Sequence, residues 1–289
     1  MGARQPRERG LFDMPAIGRM ALRNRLAVAP MTRVSAGADG RANAAMRDYY
    51  AAFAAGGFGL VITEGIYTDQ AFSQGYLYQP GLSDAMQRDA WAPIVRAVHA
   101  GGARMVAQLM HAGALSQGNP HRSSTRGPSA VRPKGAQMAF YRGEGPYPVP
   151  QAMDDAEIME AIRGFADAAA RAREAGFDGV EIHGANGYLL DQFLSEGINQ
   201  RSGAYGGGVA GRFRLIGDVA QAVRAAVGAD FTVGVRISQG KVNDFTHKWR
   251  GAEAEAAQVF RALGSLPVHY VHTTQFQAWK GAFGAGPSL

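Results

Sequence analysis

The stretch Gly179-Val-Glu-Ile-His183-Gly-Ala-Asn186-Gly-Tyr188 holds an imidazole, a carboxamide and a phenol at close spacing. A β-rich run ends at His183, and the other two groups follow in a turn that enters a helix. Imidazole and amide nitrogens can both donate to one oxygen and polarise a carbonyl, while a nearby phenol can deliver a proton. That donor set suits electron flow through a conjugated carbonyl. Spacing alone leaves a second reading open, in which His183 is a core histidine at a strand end and Tyr188 packs against the scaffold.

Such a trio needs a rigid frame, and the flanking sequence supplies one. Short aliphatic runs at Leu26–Pro30, Leu60–Thr63, Met105–Leu109, Gly179–His183, Thr232–Ile237 and His269–His272 predict strands. Each is nearly continuous in apolar residues, as expected of parallel strands covered on both faces. Between them, Ala-rich stretches predict helices at Asn43–Ala55, Asp89–Ala100, Asp154–Ala175, Gly211–Val227 and Ala252–Leu263. The third carries the clearest punctuation, with Asp154 as N-cap, Glu157 three residues on and Gly176 as the stop.

Strict β-α alternation predicts an α/β fold, a parallel (β/α)8 TIM barrel with about six β-α units in this chain, read as one domain over residues 1–289. The segment 112–153, rich in Gly, Pro, Ser and Arg, is expected to be a long excursion over the active-site face. With six units counted, strands seven and eight are expected to be missing from the recorded sequence.

Composition narrows the chemistry. The 289 residues contain no cysteine, which excludes disulfides, thiolate nucleophiles and iron–sulfur clusters. The formal charge is +6, nearly all cations are Arg, and apart from a cluster at Arg4–Arg9 they are dispersed. No basic stripe marks a nucleic-acid partner. No run approaches the roughly 18 apolar residues of a membrane helix, and no leader-like h-region opens the chain, so it reads as cytoplasmic. Five further histidines, His99, His121, His247, His269 and His272, are scattered without metal-ligand spacing. Gly206 to Gly211 fits G-x-G-x-x-G but follows no strand directly, so it reads as a loop and helix start.

Several segments together resemble the old yellow enzyme family of FMN-dependent ene-reductases. They are Asn24-Arg25 through Pro30-Met31-Thr32, Gly59 through Thr63-Glu64-Gly65, Val106-Ala-Gln108-Leu-Met-His111, the His183–Tyr188 stretch, Asn199 through Gly207 with Arg212, and Gly234-Val-Arg236. The resemblance implies FMN as cofactor and NADPH or NADH as reductant, in a ping-pong reaction. The main chain of Ala29, Pro30 and Met31 would line the flavin, with Thr32 donating toward O4. Gly65 would permit close approach of the ring, Gln108 would bond its pyrimidine edge, and Arg236 would face N1–O2. His183 and Asn186 would clamp the substrate oxygen, Tyr188 would protonate Cα, and Tyr76 would line the substrate pocket. The implied ligands are activated alkenes (enones, maleimides, nitro compounds) and phenols; a homo-oligomer stays open.

The chain departs from the family pattern in places. Ala114 stands where Arg is common, the loop after Arg201 lacks its acidic residue, and Thr32 replaces the flavin-tuning Cys of one branch. The family's flavin-phosphate loops follow strands seven and eight. A flavin-free, non-catalytic barrel remnant is therefore the alternative. A phosphosugar lyase or isomerase on the same barrel is a further rival, disfavoured because Lys134, Lys241, Lys248 and Lys280 are expected in loops.

Overall fold

The computed structural model describes residues 10–284 and 286–289; the Arg4–Arg9 cluster lies outside them. The chain opens with a hairpin, β1 (Ala16–Ile17) and β2 (Met20–Ala21), then runs through β3 (Ala27–Val28), α1 (Ala44–Ala55), β4 (Leu60–Tyr67), α2 (Ala85–Ala100) and β5 (Arg104–Met110). The excursion that follows carries β6 (Arg126–Gly127) and β7 (Gln151–Ala152). Then come α3 (Asp155–Glu174), β8 (Gly179–Asn186), α4 (Leu189–Leu194), α5 (Val209–Val227), β9 (Thr232–Lys241), α6 (Ala252–Gly264) and β10 (Tyr270–Thr274).

All six expected strands form, and they pair in chain order: β3-β4-β5-β8-β9-β10, every pairing parallel. This is the winding of a (β/α) barrel, here with six strands and with β3 and β10 at the sheet's edges. Five strands run further than their apolar cores suggested, β5 to Met110 and β10 to Thr274 by a residue or two, and β4 to Tyr67, β8 to Asn186 and β9 to Lys241 by more. The extensions carry the polar residues, because strand pairing continues wherever neighbouring backbones stay parallel.

Period-two alternation sorts the side chains. Met105, Ala107 and Leu109 of β5, Val180 and Ile182 of β8, and Val233, Val235 and Ile237 of β9 join the main core beneath the helices. The opposite face is layered. At the strands' amino ends Leu60, Ile62 and Val106 form an apolar plug with Met20 and Leu22, beside the β1–β2 hairpin. Above it, polar side chains begin.

Helix ends follow local chemistry. Asp154 and Glu157 form the expected reciprocal capping box at the start of α3. Helix α2 starts at Ala85 rather than Asp89, because the Asp84 side chain accepts from Gln87 N–H and caps it one turn earlier. Helix α4 was not anticipated: its six residues are wholly buried and show no amphipathic period to read. On α5, Arg212 donates to the Leu194 carbonyl and pairs with Glu255 of α6, both nearly buried.

That pair generates a test. Glu255→Leu strands a buried guanidinium, and unfolding by urea should show a loss of roughly 3 kcal/mol. A change below about 0.5 kcal/mol would mean that the α5–α6 junction does not depend on the pair.

Candidate active site

Register builds the site. Gly65 of β4 pairs with Gln108 of β5, Gln108 with Glu181 of β8, Glu181 with Gly234 of β9, and Gly234 with Tyr270 of β10. One row therefore crosses five strands. The row above it sets His183 beside Arg236, and Arg236 beside His272. Residues far apart in sequence are thus neighbours at the strands' carboxyl ends, where barrel sites lie.

Glu181 sits at the centre of the lower row with no exposed surface. Its Oε1 accepts from Gln108 Nε2 at 2.8 Å; its Oε2 accepts from Tyr270 OH at 3.1 Å and is 3.0 Å from His272 Nδ1. Holding the Gln108 NH2 this way turns its carbonyl oxygen to the cavity side. Gly234 makes the arrangement possible, since a Cβ there would lie 2.1 Å from the Tyr270 ring.

Above the rows is a cavity of about 200 Å3. Pro30, Thr32, Gly65, Tyr76, Gln108, His183, Asn186, Tyr188 and Arg236 are all in its lining. Ala29 and Met31 do not line it, and their side chains are exposed. At Gly65 an added Cβ would lie 2.7 Å from Met110 Sδ, so a larger residue there would have to displace the Met110 side chain. Met138, Phe140 and Tyr141 close one side from the 112–153 excursion. Tyr141 OH donates to the Thr32 carbonyl at 3.2 Å, and its ring leans on Tyr76 with centroids 4.8 Å apart.

His183 is 3% exposed. Its Nδ1 accepts from Ala185 N–H at 3.3 Å, which leaves the hydrogen of the neutral ring on Nε2. Burial first, then the Arg236 and His272 charges, push its pKa well below the ordinary histidine value. The ring is a neutral donor at pH 7. Asn186 adopts φ 64°, a left-handed conformation that asparagine tolerates, with its N–H bonded to Ser238 Oγ at 2.8 Å. Tyr188 OH lies 2.6 Å from Tyr76 OH, and burial raises the pKa of both phenols. Arg236 donates from Nη2 to Thr274 Oγ1 at 3.1 Å, while its buried Nε has no partner among the described residues.

Sequence reasoning singled out the cavity residues but missed their supports. Besides Glu181, it passed over Glu64, whose Oε2 accepts from Arg33 and Val34 N–H at 2.8 and 3.0 Å. That carboxylate fixes the loop following Thr32, in which Val34 holds a φ of 49° that β-branched residues avoid. An acidic residue inside an otherwise apolar strand was the available signal in both cases. Lys241 was expected in a loop and is the last residue of β9, buried against Asp191 at 2.8 Å and Ser195 at 2.6 Å. Its strand-end position meets one condition for a Schiff-base lysine, but its ammonium is engaged by that carboxylate and hydroxyl.

A parallel barrel sheet that gathers neutral donors, a phenol and a guanidinium at one cavity defines a class: the (β/α) barrels with a polar cavity at the strands' carboxyl ends. Comparison with known proteins makes the class specific. Residues 10–280 match the NADH:flavin oxidoreductase / NADH oxidase family. The chain is 41% identical over 239 residues to 12-oxophytodienoate reductase 7 of Oryza sativa subsp. japonica, covering 79% of this chain and 58% of that protein. The old yellow enzyme homologue of Zymomonas mobilis superposes with a TM-score of 0.87 at 33% identity, over 97% of this chain and 78% of that one. Morphinone reductase in complex with tetrahydroNAD superposes at 0.84 and 30% identity, over 96% and 76%. The chain belongs to the NADH:flavin oxidoreductase / NADH oxidase family, and it spans under three-fifths of the rice reductase's length.

Neutral His183 ties the site to stability. Unfolded, the ring takes a proton near pH 6.5; folded, it resists to lower pH, as does buried His111. Their contribution is complete above pH 6.5 and falls away as pH drops, by up to about 1.4 kcal/mol per group per pH unit. The urea midpoint should therefore be lower at pH 5.5 than at 7.5, and His183→Asn should flatten the decline. An equally steep decline in that variant would remove His183 as a source.

Proposed function

We propose that this chain is an FMN-binding barrel domain over residues 1–289, acting in the cytoplasm as an ene-reductase on activated alkenes with NADPH or NADH as reductant. One observation carries the reading: His183, Asn186, Tyr188, Gln108 and Arg236, from three strands and a turn, converge on a single cavity. The relatives support it, since one similar structure was solved with a nicotinamide analogue bound.

The residues present suit the pyrimidine edge of an isoalloxazine ring. Gln108 keeps a carbonyl free for a ring N–H, and Arg236 keeps a buried, unpartnered N–H for the N1–O2 side. Thr32 and the backbone around Pro30 would face the ring's other edge. Bound FMN would supply the hydride that reaches the alkene's β-carbon.

The chain's own work is to bind, polarise and protonate. Nε2–H of neutral His183 and the Asn186 amide donate to the substrate oxygen, where negative charge develops, and each such donor is worth roughly 10²–10³ in rate. A neutral imidazole suits this role because it donates a hydrogen bond without surrendering its proton to the oxygen. Tyr188 keeps its proton at neutral pH and delivers it to Cα; Tyr76 OH, in contact with it, steadies the phenolate that remains. Met138, Phe140 and Tyr141 shield the cavity from water.

The first measurement is the visible spectrum of the purified chain with FMN added. Bound-flavin bands that shift on adding a phenol are expected; a protein that takes up no flavin would instead be the barrel remnant. With flavin bound, His183→Ala and Asn186→Ala should each weaken phenol binding and slow enone reduction about 10²-fold. Unchanged kinetics in both would remove the oxygen clamp. Tyr188→Phe should slow alkene reduction in stopped-flow while leaving flavin reduction by NADPH intact; equal slowing of both halves would make Tyr188 structural.

A further inference from the structure

Beside the active-site cavity lies a larger one of about 330 Å3, and the two share a wall. Asn186 and Val242 line the first; their chain neighbours Gly187, Lys241 and Asn243 line the second. Its volume falls in the range of small-molecule sites. Ala114, where the family pattern commonly has Arg, is one of its walls, and the short side chain leaves the space open.

The cavity's charge is unlike that of the rest of the chain. Only four residues are lysine, yet Lys134, Lys241 and Lys248 all converge here, joined by Arg132 and Arg250. Two wall carboxylates offset part of this: Asp244 accepts from Lys134 at 2.9 Å, and Glu196 lies 3.9 Å from Arg250. Lys248 and Arg132 are exposed and have no carboxylate partner among the described residues, although Arg132 Nη1 donates to the Tyr147 carbonyl at 2.6 Å. At the floor, the Lys241 side chain is 2% exposed. Two of its three N–H groups go to Asp191 and Ser195, and the third has no protein partner among the described residues. A buried ammonium with one N–H to spare, beneath a rim on which cations outnumber carboxylates, is suited to an acceptor-rich anion.

We infer that this cavity is an anion subsite, holding the phosphate or carboxylate tail of a molecule whose reacting end occupies the neighbouring cavity. The second half of that statement rests on the function proposed above; the anion site itself does not. The tail could belong to the dinucleotide reductant, through its phosphates, or to an acidic alkene substrate.

Titration calorimetry of the 289-residue chain with inorganic pyrophosphate tests the site without flavin. Binding is expected, weakening steeply between about 50 and 500 mM salt. Lys248→Ala and Arg132→Ala should each weaken it about tenfold, the loss of one charge-assisted contact, with an unchanged thermal melt showing that Arg132→Ala, which also gives up its bond to the Tyr147 carbonyl, stays folded. No binding, or equal binding by wild type and the double variant, overturns the inference. In the flavin-loaded protein the same variants separate the two sources. A raised KM for NADPH assigns the site to the reductant. A raised KM for an alkene carboxylate, but not for its methyl ester, assigns it to substrate. Unchanged KM for all three overturns the link to the neighbouring cavity. Failure to take up FMN would sink the proposed function while leaving the pyrophosphate result standing.

Discussion

A carboxylate withdrawn from water must be met by donors, and at the centre of this sheet Glu181 is met by three. Gln108 reaches it from β5 on one side, and Tyr270 and His272 reach it across β9 from β10 on the other, so one buried side chain ties together elements more than 160 positions apart in sequence. The tie also has a direction. By occupying the amide nitrogen of Gln108 it leaves the carbonyl oxygen for the cavity, and by drawing the Tyr270 phenol across Gly234 it fills the barrel interior below. The polar layer separates an apolar plug from a polar cavity and sets the height at which chemistry can begin.

The same economy recurs two strands away, on β4. Glu64 is as buried as Glu181, and burial raises its pKa even though two backbone N–H groups and the Tyr50 hydroxyl bond to it. Those bonds hold the loop after β3 in a conformation that Val34 would not otherwise adopt. Asn186, which lines the cavity, also has a left-handed backbone, held by Ser238 and Val242. Neutral buried His183 belongs with these features: it is held in an unfavourable environment because that environment keeps it a donor.

The excursion between β5 and α3 turns a sheet end into an enclosure. Tyr141 reaches from it to the Thr32 carbonyl, and its ring covers Tyr76, which in turn touches Tyr188. Each link in this chain comes from a different segment. On its other flank the excursion supplies Arg132 and Lys134 to the cationic cavity, so one loop shapes both spaces.

Much of this was legible in the amino-acid order. The six strands, the capping box at Asp154 and the His183–Tyr188 donors follow from local patterns: apolar runs, cap residues and side-chain chemistry act over a few positions. What local pattern could not carry was register. Nothing near Gln108 says that it faces Glu181, nothing near Gly234 says that a tyrosine ring from β10 must pass over it, and nothing in the loop of Tyr76 says that its hydroxyl meets Tyr188. The extension of β9 to Lys241, the buried helix α4 and the convergence of three lysines on one cavity are equally invisible, because each depends on which backbone lies alongside. The sequence determined which chemical groups were present and which elements would bear them. The tertiary structure decided which groups touch, because a carboxylate, a phenol or an ammonium acquires its role only from the donors, acceptors and exclusion of water that distant strands bring to it.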